Sequence, residues 1–366
     1  MAATSRVSDV LTALAERAPF AKAAAWDPVG LQLGDPAAPA RRIAVCHEVT
    51  EAVVAAAERE PPDLLVTYHP LLFHATRRLV AGRTPEGRAL RLIAAGVALA
   101  VVHTSFDVAR GGAADALAEA LGLENLRGFG PLHGPDVRKA VTFLPASAAD
   151  RVLDAVVAAG AGRIGAYTHC SFRSEGTGTF YAPAGSQPAV GQRGELNREP
   201  EVRIEFGVPA GREAAVLAAL IGAHPYEEPA YDVYDRRGDA GLLGRTGTLA
   251  PGTRLGDLAE RARSALDSAG LRVAGDRTRI VERAAVIPGS GADFLDAAAA
   301  AGADAVVTGD LTHHVARAAL DRGLALVDPG HAATERPGLE RLLAHLASLG
   351  PACASLLELE VDPWRS

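Results

Sequence analysis

Leu324-Ala325-Leu326-Val327-Asp328-Pro329-Gly330-His331-Ala332-Ala333-Thr334-Glu335 passes from an apolar run through a Pro-Gly turn into helix-favouring sequence that continues to about Leu346. The run reads as a buried strand, and the turn as the strand-to-helix junction of an α/β layer. His331 and Glu335 are four residues apart, so they share one face of the first helical turn. An imidazole and a carboxylate at that spacing can grip one divalent cation. The pair also suits a plain helix start, with the carboxylate near the positive end of the helix dipole and the histidine serving the turn. Pairs at this spacing are common, so the stretch alone leaves both readings open.

Outward from it, strands alternate with helices. Ser5 to Ala18 forms an amphipathic helical stripe, and Ile43 to Val45, Leu64 to Val66 and Val97 to Val102 read as short strands separated by helical stretches. That rhythm predicts a mostly parallel or mixed sheet flanked by helices. Ligands in such sheets sit at the carboxyl ends of the strands. Three of these ends carry metal-type side chains: His69 after one strand, His103 and Asp107 after another, His331 and Glu335 after a third. One histidine at a strand end is usually a packing or capping residue. Three ends delivering N and O donors together favour a metal site. Asp310, His313 and His314 follow a fourth strand and read equally as partners orienting the ligands or as caps.

Two loops admit structural or functional readings. Trp26-Asp27-Pro28-Val29-Gly30-Leu31-Gln32 carries polar side chains that read as hydrogen-bonding struts, or as contacts to a bound ligand. Pro288-Gly289-Ser290-Gly291 offers backbone N–H groups to an anion but lacks the lysine of a phosphate-binding loop.

From about His133 the pattern changes to a βαβ…βαβ order over roughly 110 residues, which fits a small ferredoxin-like α+β domain. The first rhythm resumes after Gly244-Arg245-Thr246-Gly247. The expected organisation is therefore an α/β domain made of residues 1–132 and 246–366, interrupted by an inserted domain over 133–245. Within the insertion, His224, Glu227 and Glu228 lie between prolines and read as an exposed loop rather than a ligand set.

A chain of 366 residues is long enough for about two domains. Its net charge of −7, with basic residues scattered, gives no surface for nucleic acid. No apolar run is long enough to span a bilayer, and residues 1–9 lack the apolar core of a secretory signal. Three widely spaced cysteines (Cys46, Cys170, Cys353) argue against a disulfide scaffold or a thiolate zinc site, and for a reducing cytoplasm.

Val66-Thr67-Tyr68-His69-Pro70, His103-Thr104-Ser105-Phe106-Asp107, Thr308-Gly309-Asp310-Leu311 and Gly330-His331-Ala332-Ala333-Thr334-Glu335 together resemble the signature blocks of one family. It is the family of GTP cyclohydrolase I type 2 homologues, or NGG-interacting-factor-three-like proteins. Asp27-Pro28-Val29-Gly30-Leu31-Gln32, Cys170-Ser171-Phe172 and His224-Pro225-Tyr226-Glu227-Glu228-Pro229 are similar to it as well. The resemblance implies two divalent cations (Zn, Fe, Mn or Ni) bridged by Glu335. His69 and Asp107 would complete one ligand set, and His331 would serve the other. It implies a toroidal homohexamer and a PII-like inserted domain. It also implies hydrolytic opening of the GTP imidazole ring, with His103 as a proton shuttle, or a related hydrolysis of a nucleotide-like substrate. A non-enzymatic metal-binding scaffold or regulatory protein is the alternative.

Many bacterial members have two histidines before the proline; here the first position is Tyr68. A neutral phenol, with a pKa near ~10, is a poor ligand, so the second cation is expected to be held weakly.

Overall fold

The strand-and-helix pattern around His331 occurs twice in the chain. The computed structural model describes residues 5–132, 137–164, 167–209, 212–235, 241–359 and Pro363. They divide into two compact units, Met1–Leu132 with Gly241–Ser366, and His133–Ala240. The segments 133–136 and 236–240, where the chain passes between units, lie outside the described residues.

In the first unit, one copy of the motif runs α1 (Val7–Arg17), β1 (Gly30–Leu33), β2 (Arg42–Cys46), α2 (Glu51–Arg59), β3 (Leu64–Thr67), α3 (Pro85–Ala94) and β4 (Ala98–Val101). Then come α4 (His103–Val108), α5 (Ala113–Ala120) and β5 (Glu124–Pro131). The second unit holds β6 (Val137–Leu144), α6 (Ala149–Ala158), β7 (Ser171–Tyr181), β8 (Leu196–Pro209), α7 (Glu213–Ala223) and β9 (Tyr231–Asp235). The chain re-enters the first unit at β10 (Leu242–Thr248). The second copy follows as α8 (Leu255–Ala265), β11 (Arg272–Ala274), β12 (Arg283–Ser290), α9 (Leu295–Ala300), β13 (Ala305–Gly309), α10 (His313–Asp321) and β14 (Ala325–Asp328). α11 (His331–Ala347) and β15 (Ala352–Ser355) close the described chain.

The two copies form separate sheets with the same internal order, β1-β4-β3-β2 extended by β15, and β11-β14-β13-β12 extended by β10 and β5. In each, the three later strands of the motif run parallel and the first pairs antiparallel at one side. The local chemistry repeats too. The Arg6 N–H donates to the Asp9 carboxylate at 2.8 Å to open α1, as the Arg254 N–H donates to Asp257 at 2.9 Å to open α8. Asp35 and Asp276 each accept a backbone N–H two residues on, at 2.8 and 2.9 Å, turning the chain after β1 and β11.

The parallel strands β3, β4, β13 and β14 are buried along their whole length, as strands covered on both faces must be. The fold is thus the mixed, helix-flanked α/β class expected from the sequence. Leu242 to Arg245, assigned to the insertion by the sequence pattern, already run in the six-stranded sheet, paired with Pro131 to Gly128 of β5.

The second unit is a four-stranded antiparallel sheet in the order β7-β8-β6-β9. Its βαββαβ sequence is that of a ferredoxin-like domain. Val202, Ile204, Phe206 and Val208 alternate along β8, and Ile204, Phe206 and Val208 belong to one core with Val152, Val156, Val216 and Leu220 of α6 and α7.

α11 joins the two sheets of the first unit. It touches β12 and β13 of one and β2 and β15 of the other. Leu339, Leu342 and Leu346, at helical spacing, enter the core built on β2, β3 and β4. Gly338 lets α11 approach α5: a Cβ there would lie 2.7 Å from the Cβ and 2.8 Å from the Cα of Ala113. Gly338→Val should therefore force the helices apart and lower stability by about 1–3 kcal/mol in urea unfolding. An unchanged midpoint would mean that this approach does not hold α11 in place.

Candidate metal centre

The repeat places the carboxyl ends of both parallel strand sets at one locus. β2 leads to His47, β3 to Tyr68 and His69, and β4 to His103 with Asp107 one turn later on α4. From the second copy, β12 brings Gly289, β13 leads to Asp310, and β14 leads to His331 and Glu335 on α11.

Glu335 is the centre of the cluster, with its side chain 4% exposed. One carboxylate oxygen, Oε2, lies 2.6 Å from His47 Nε2 and 3.4 Å from His69 Nε2. The other, Oε1, lies 3.2 Å from His331 Nε2. His47, His69 and Glu335 each offer a donor atom within 4.8 Å of the others, which makes them a possible metal-binding triad. Two of the imidazoles are gripped from behind by carboxylates. His69 Nδ1 is 3.2 Å from Glu48, and His331 Nδ1 is 2.7 Å from Asp310. A carboxylate on the far ring nitrogen fixes the tautomer and aims the near nitrogen, as in metal-binding histidines generally.

The electrostatics follow from crowding these groups out of water. Burial opposes the charged form of Glu335, but hydrogen bonds from His331, His47 and His69 outweigh it and hold its pKa well below the usual carboxylate range. Burial likewise opposes the His69 imidazolium, yet Glu335 and Glu48 raise its pKa to about 10. His331, with Glu335 and Asp310 beside it, rises to about 9 against the same opposition. Without a cation, protons on these rings compensate the buried carboxylate; a divalent ion suits the same donor set.

Asp107 and Tyr68, both in the expected ligand set, meet each other beside the triad. The fully buried Tyr68 hydroxyl donates a hydrogen bond to Asp107 Oδ1. Burial raises the Asp107 pKa to about 7, with His103 and Tyr68 pulling it down and Glu335 pushing it up. Burial and the Asp107 charge hold Tyr68 well above its ordinary value, so the phenol stays protonated. Asp107 is not one of the three triad residues, and one of its two carboxylate oxygens accepts the Tyr68 hydroxyl.

His103 begins α4 at a left-handed φ of +27°, a strained setting of the kind found where a side chain must be aimed. Its Nδ1 is 3.0 Å from Asp27 Oδ1, though the two atoms are too poorly aligned for a hydrogen bond. Asp27 Oδ2 accepts both the N–H and the hydroxyl of Thr104. Asp27 thus acts as a strut, one of the two roles the sequence offered for this loop.

His47 carried no signal in the sequence: it is a single histidine after a short strand, next to a helix start. Only its position beside β3 shows its use. His313 and His314 are exposed, meet edge to face at 5.4 Å and stay out of the cluster. His224 uses both ring nitrogens within the second unit, Nε2 on Phe143 O of β6 and Nδ1 accepting the Tyr226 N–H, at 3.1 Å each. The Gly289 N–H donates to Thr334 Oγ1 at 2.8 Å, so this glycine serves the centre and not an anion.

Residues 5–361 match the family model Duf34/NIF3 (NGG1p interacting factor 3). This chain belongs to the DUF34/NIF3 family. It is 36% identical over 353 residues to a protein of Bacillus subtilis strain 168 named GTP cyclohydrolase 1 type 2 homolog, covering 95% of this chain and 94% of the relative. A protein of the same name from Mycobacterium leprae is 40% identical over 376 residues, covering 99% and 95%. Among solved structures, a Bacillus cereus protein related to NIF3 superposes with a TM-score of 0.66 at 35% identity, over 100% of both chains. Among the described residues, no helix of this family member is long and apolar enough to cross a membrane.

Gly289 sets how closely β12 approaches the cluster. At its φ of +62°, a Cβ would lie 2.6 Å from Glu335 Oε1 and 3.2 Å from His331 Nε2. Gly289→Ala should crowd these donor atoms and weaken divalent-cation binding, read by calorimetric titration with Zn²⁺, while the fold persists by circular dichroism. Unchanged affinity would show that Oε1 and His331 take no part in binding.

Proposed function

We propose that this chain is a divalent-metal-dependent hydrolase of a nucleotide-like substrate, in keeping with the name its relatives carry. The observation that carries the reading is the convergence of imidazoles on both oxygens of one buried carboxylate: His47 and His69 on Oε2, His331 on Oε1. That donor set would hold divalent cations, His47 and His69 together with Oε2 of Glu335, and His331 with Oε1 and fewer protein donors, in keeping with the two cations that the resemblance implies. The resemblance put Asp107 with His69; His47, which shares the triad with His69 and Glu335, takes that place in this proposal.

A bound cation pair supplies Lewis acidity and lowers the pKa of water toward about 7. The chain's own groups orient the reaction. Glu48 and Asp310 hold His69 and His331 in place, and Tyr68 fixes the Asp107 carboxyl. His103, with Asp27 beside its Nδ1, is left with Nε2 to take and return a proton as the scissile bond opens. Hydrolytic opening of a purine imidazole ring, the reaction that the family resemblance implies, needs these services. A toroidal homohexamer and a PII-like role for the inserted unit belong to the same proposal, on the family resemblance.

Metal content per subunit, measured on protein purified without added metal and again after chelation and reloading, is the direct test, paired with an assay of GTP hydrolysis. Purified protein should carry metal, and chelation should abolish turnover. His47→Ala should weaken metal binding by at least the ~10–100-fold typical of losing an orienting partner, with turnover falling in parallel. A fully loaded protein that leaves GTP intact would overturn the substrate. Retention of metal by His47→Ala would overturn the ligand set.

A further inference from the structure

Two large aromatic rings stand in water beside the cluster. Trp26 is 63% exposed and Phe73 45% exposed. They stack at a centroid distance of 6.4 Å with 21° between their planes. Both meet His103 edge-on, at 5.8 and 5.9 Å. His103 in turn lies 5.2 Å from His69, edge to face. Trp26 is therefore two ring-to-ring steps from a residue of the triad, at most about 11 Å centroid to centroid.

The exposure is held in place by polar anchors. The Gln32 amide ties together the loops that carry the two rings: its Nε2 donates to Pro28 O at 3.2 Å and to Leu72 O at 3.0 Å, and its Oε1 accepts from the Leu72 N–H at 3.2 Å. Asp27, next to Trp26, is fixed by the Thr104 N–H at 3.0 Å and by the Thr104 hydroxyl. The fully buried Asp27 carboxylate keeps its second oxygen without a well-aligned partner, facing His103. Keeping two large apolar rings rigid and exposed gains nothing for the isolated chain, whereas a planar ligand ring laid on them removes apolar surface from water.

We infer that Trp26 and Phe73 form a stacking platform for the planar heteroaromatic ring of the ligand, a purine-type base, whose substituents then extend over His103 toward the Glu335 cluster. This rests on the hydrolase reading for the identity of the site and adds the residues that seat the ligand's base. Stacking on aromatic side chains tolerates any flat base, so the platform sets orientation and reach rather than base identity.

The chain has two tryptophans, Trp26 and Trp364, so Trp364→Phe leaves Trp26 as the sole indole. Zinc-loaded Trp364→Phe protein is titrated with guanosine 5′-monophosphate and, separately, with ribose 5-phosphate, following Trp26 fluorescence. The nucleotide should quench it saturably and the base-free sugar phosphate should not. Adding Phe73→Leu should weaken the nucleotide's binding roughly tenfold while zinc content stays the same. Equal responses to the two compounds, or none, would overturn the platform. So would emission that shifts with protein concentration alone, because the rings would then be covered by a second copy of the chain. Base-dependent quenching without GTP turnover would sink the hydrolase reading and leave the platform standing. Turnover unaffected by Phe73→Leu, with no quenching, would do the reverse.

Discussion

A carboxylate buried among three imidazoles is the constraint on which the larger unit depends. Removing Glu335 from water is costly unless charged or hydrogen-bonding partners surround it, and those partners come from three different strands. His47 and His69 end β2 and β3 of one sheet; His331 and Glu335 follow β14 of the other. The cluster can therefore form only where the carboxyl ends of both sheets meet. α11 enforces that meeting, because its first turn carries Glu335 and its later turns bury Leu339, Leu342 and Leu346 in the core of the opposite sheet.

The repeated motif explains why a site arises there at all. Each copy presents three parallel strand ends on one edge, and the two edges supply complementary chemistry. The first delivers imidazoles and their aromatic surroundings; the second delivers the buried carboxylate, one more imidazole and a glycine that leaves room for them. Asp310 holding His331, and Glu48 holding His69, are the same device used once from each copy.

Much of this was legible in the sequence, for physical reasons. Fully buried parallel strands are short apolar runs, and the residues just after them are exposed to one edge, so His69, His331 and Glu335 could be found from strand ends alone. The insertion showed itself by a change of rhythm, although β10 pairs further into the sheet than the pattern near Gly244 suggested. His47 was not legible, since one histidine beside a helix start has no spacing partner, and its neighbour Glu335 lies far off in the chain. The Tyr68 hydroxyl bonded to Asp107 was hidden for the same reason: it depends on how closely β3 and α4 pack, which no local pattern encodes. The duplication is faint in the sequence, because it survives in turns such as those at Asp35 and Asp276 and not in a long run of identities.

Anomalous X-ray diffraction from crystals of the zinc-loaded protein tests the central claim most directly. A peak about 2.0–2.2 Å from His47 Nε2, His69 Nε2 and Glu335 Oε2 is expected, with a weaker second peak between Glu335 Oε1 and His331 Nε2. A peak ligated by Asp107 in place of His47, or no peak against Glu335, would contradict it.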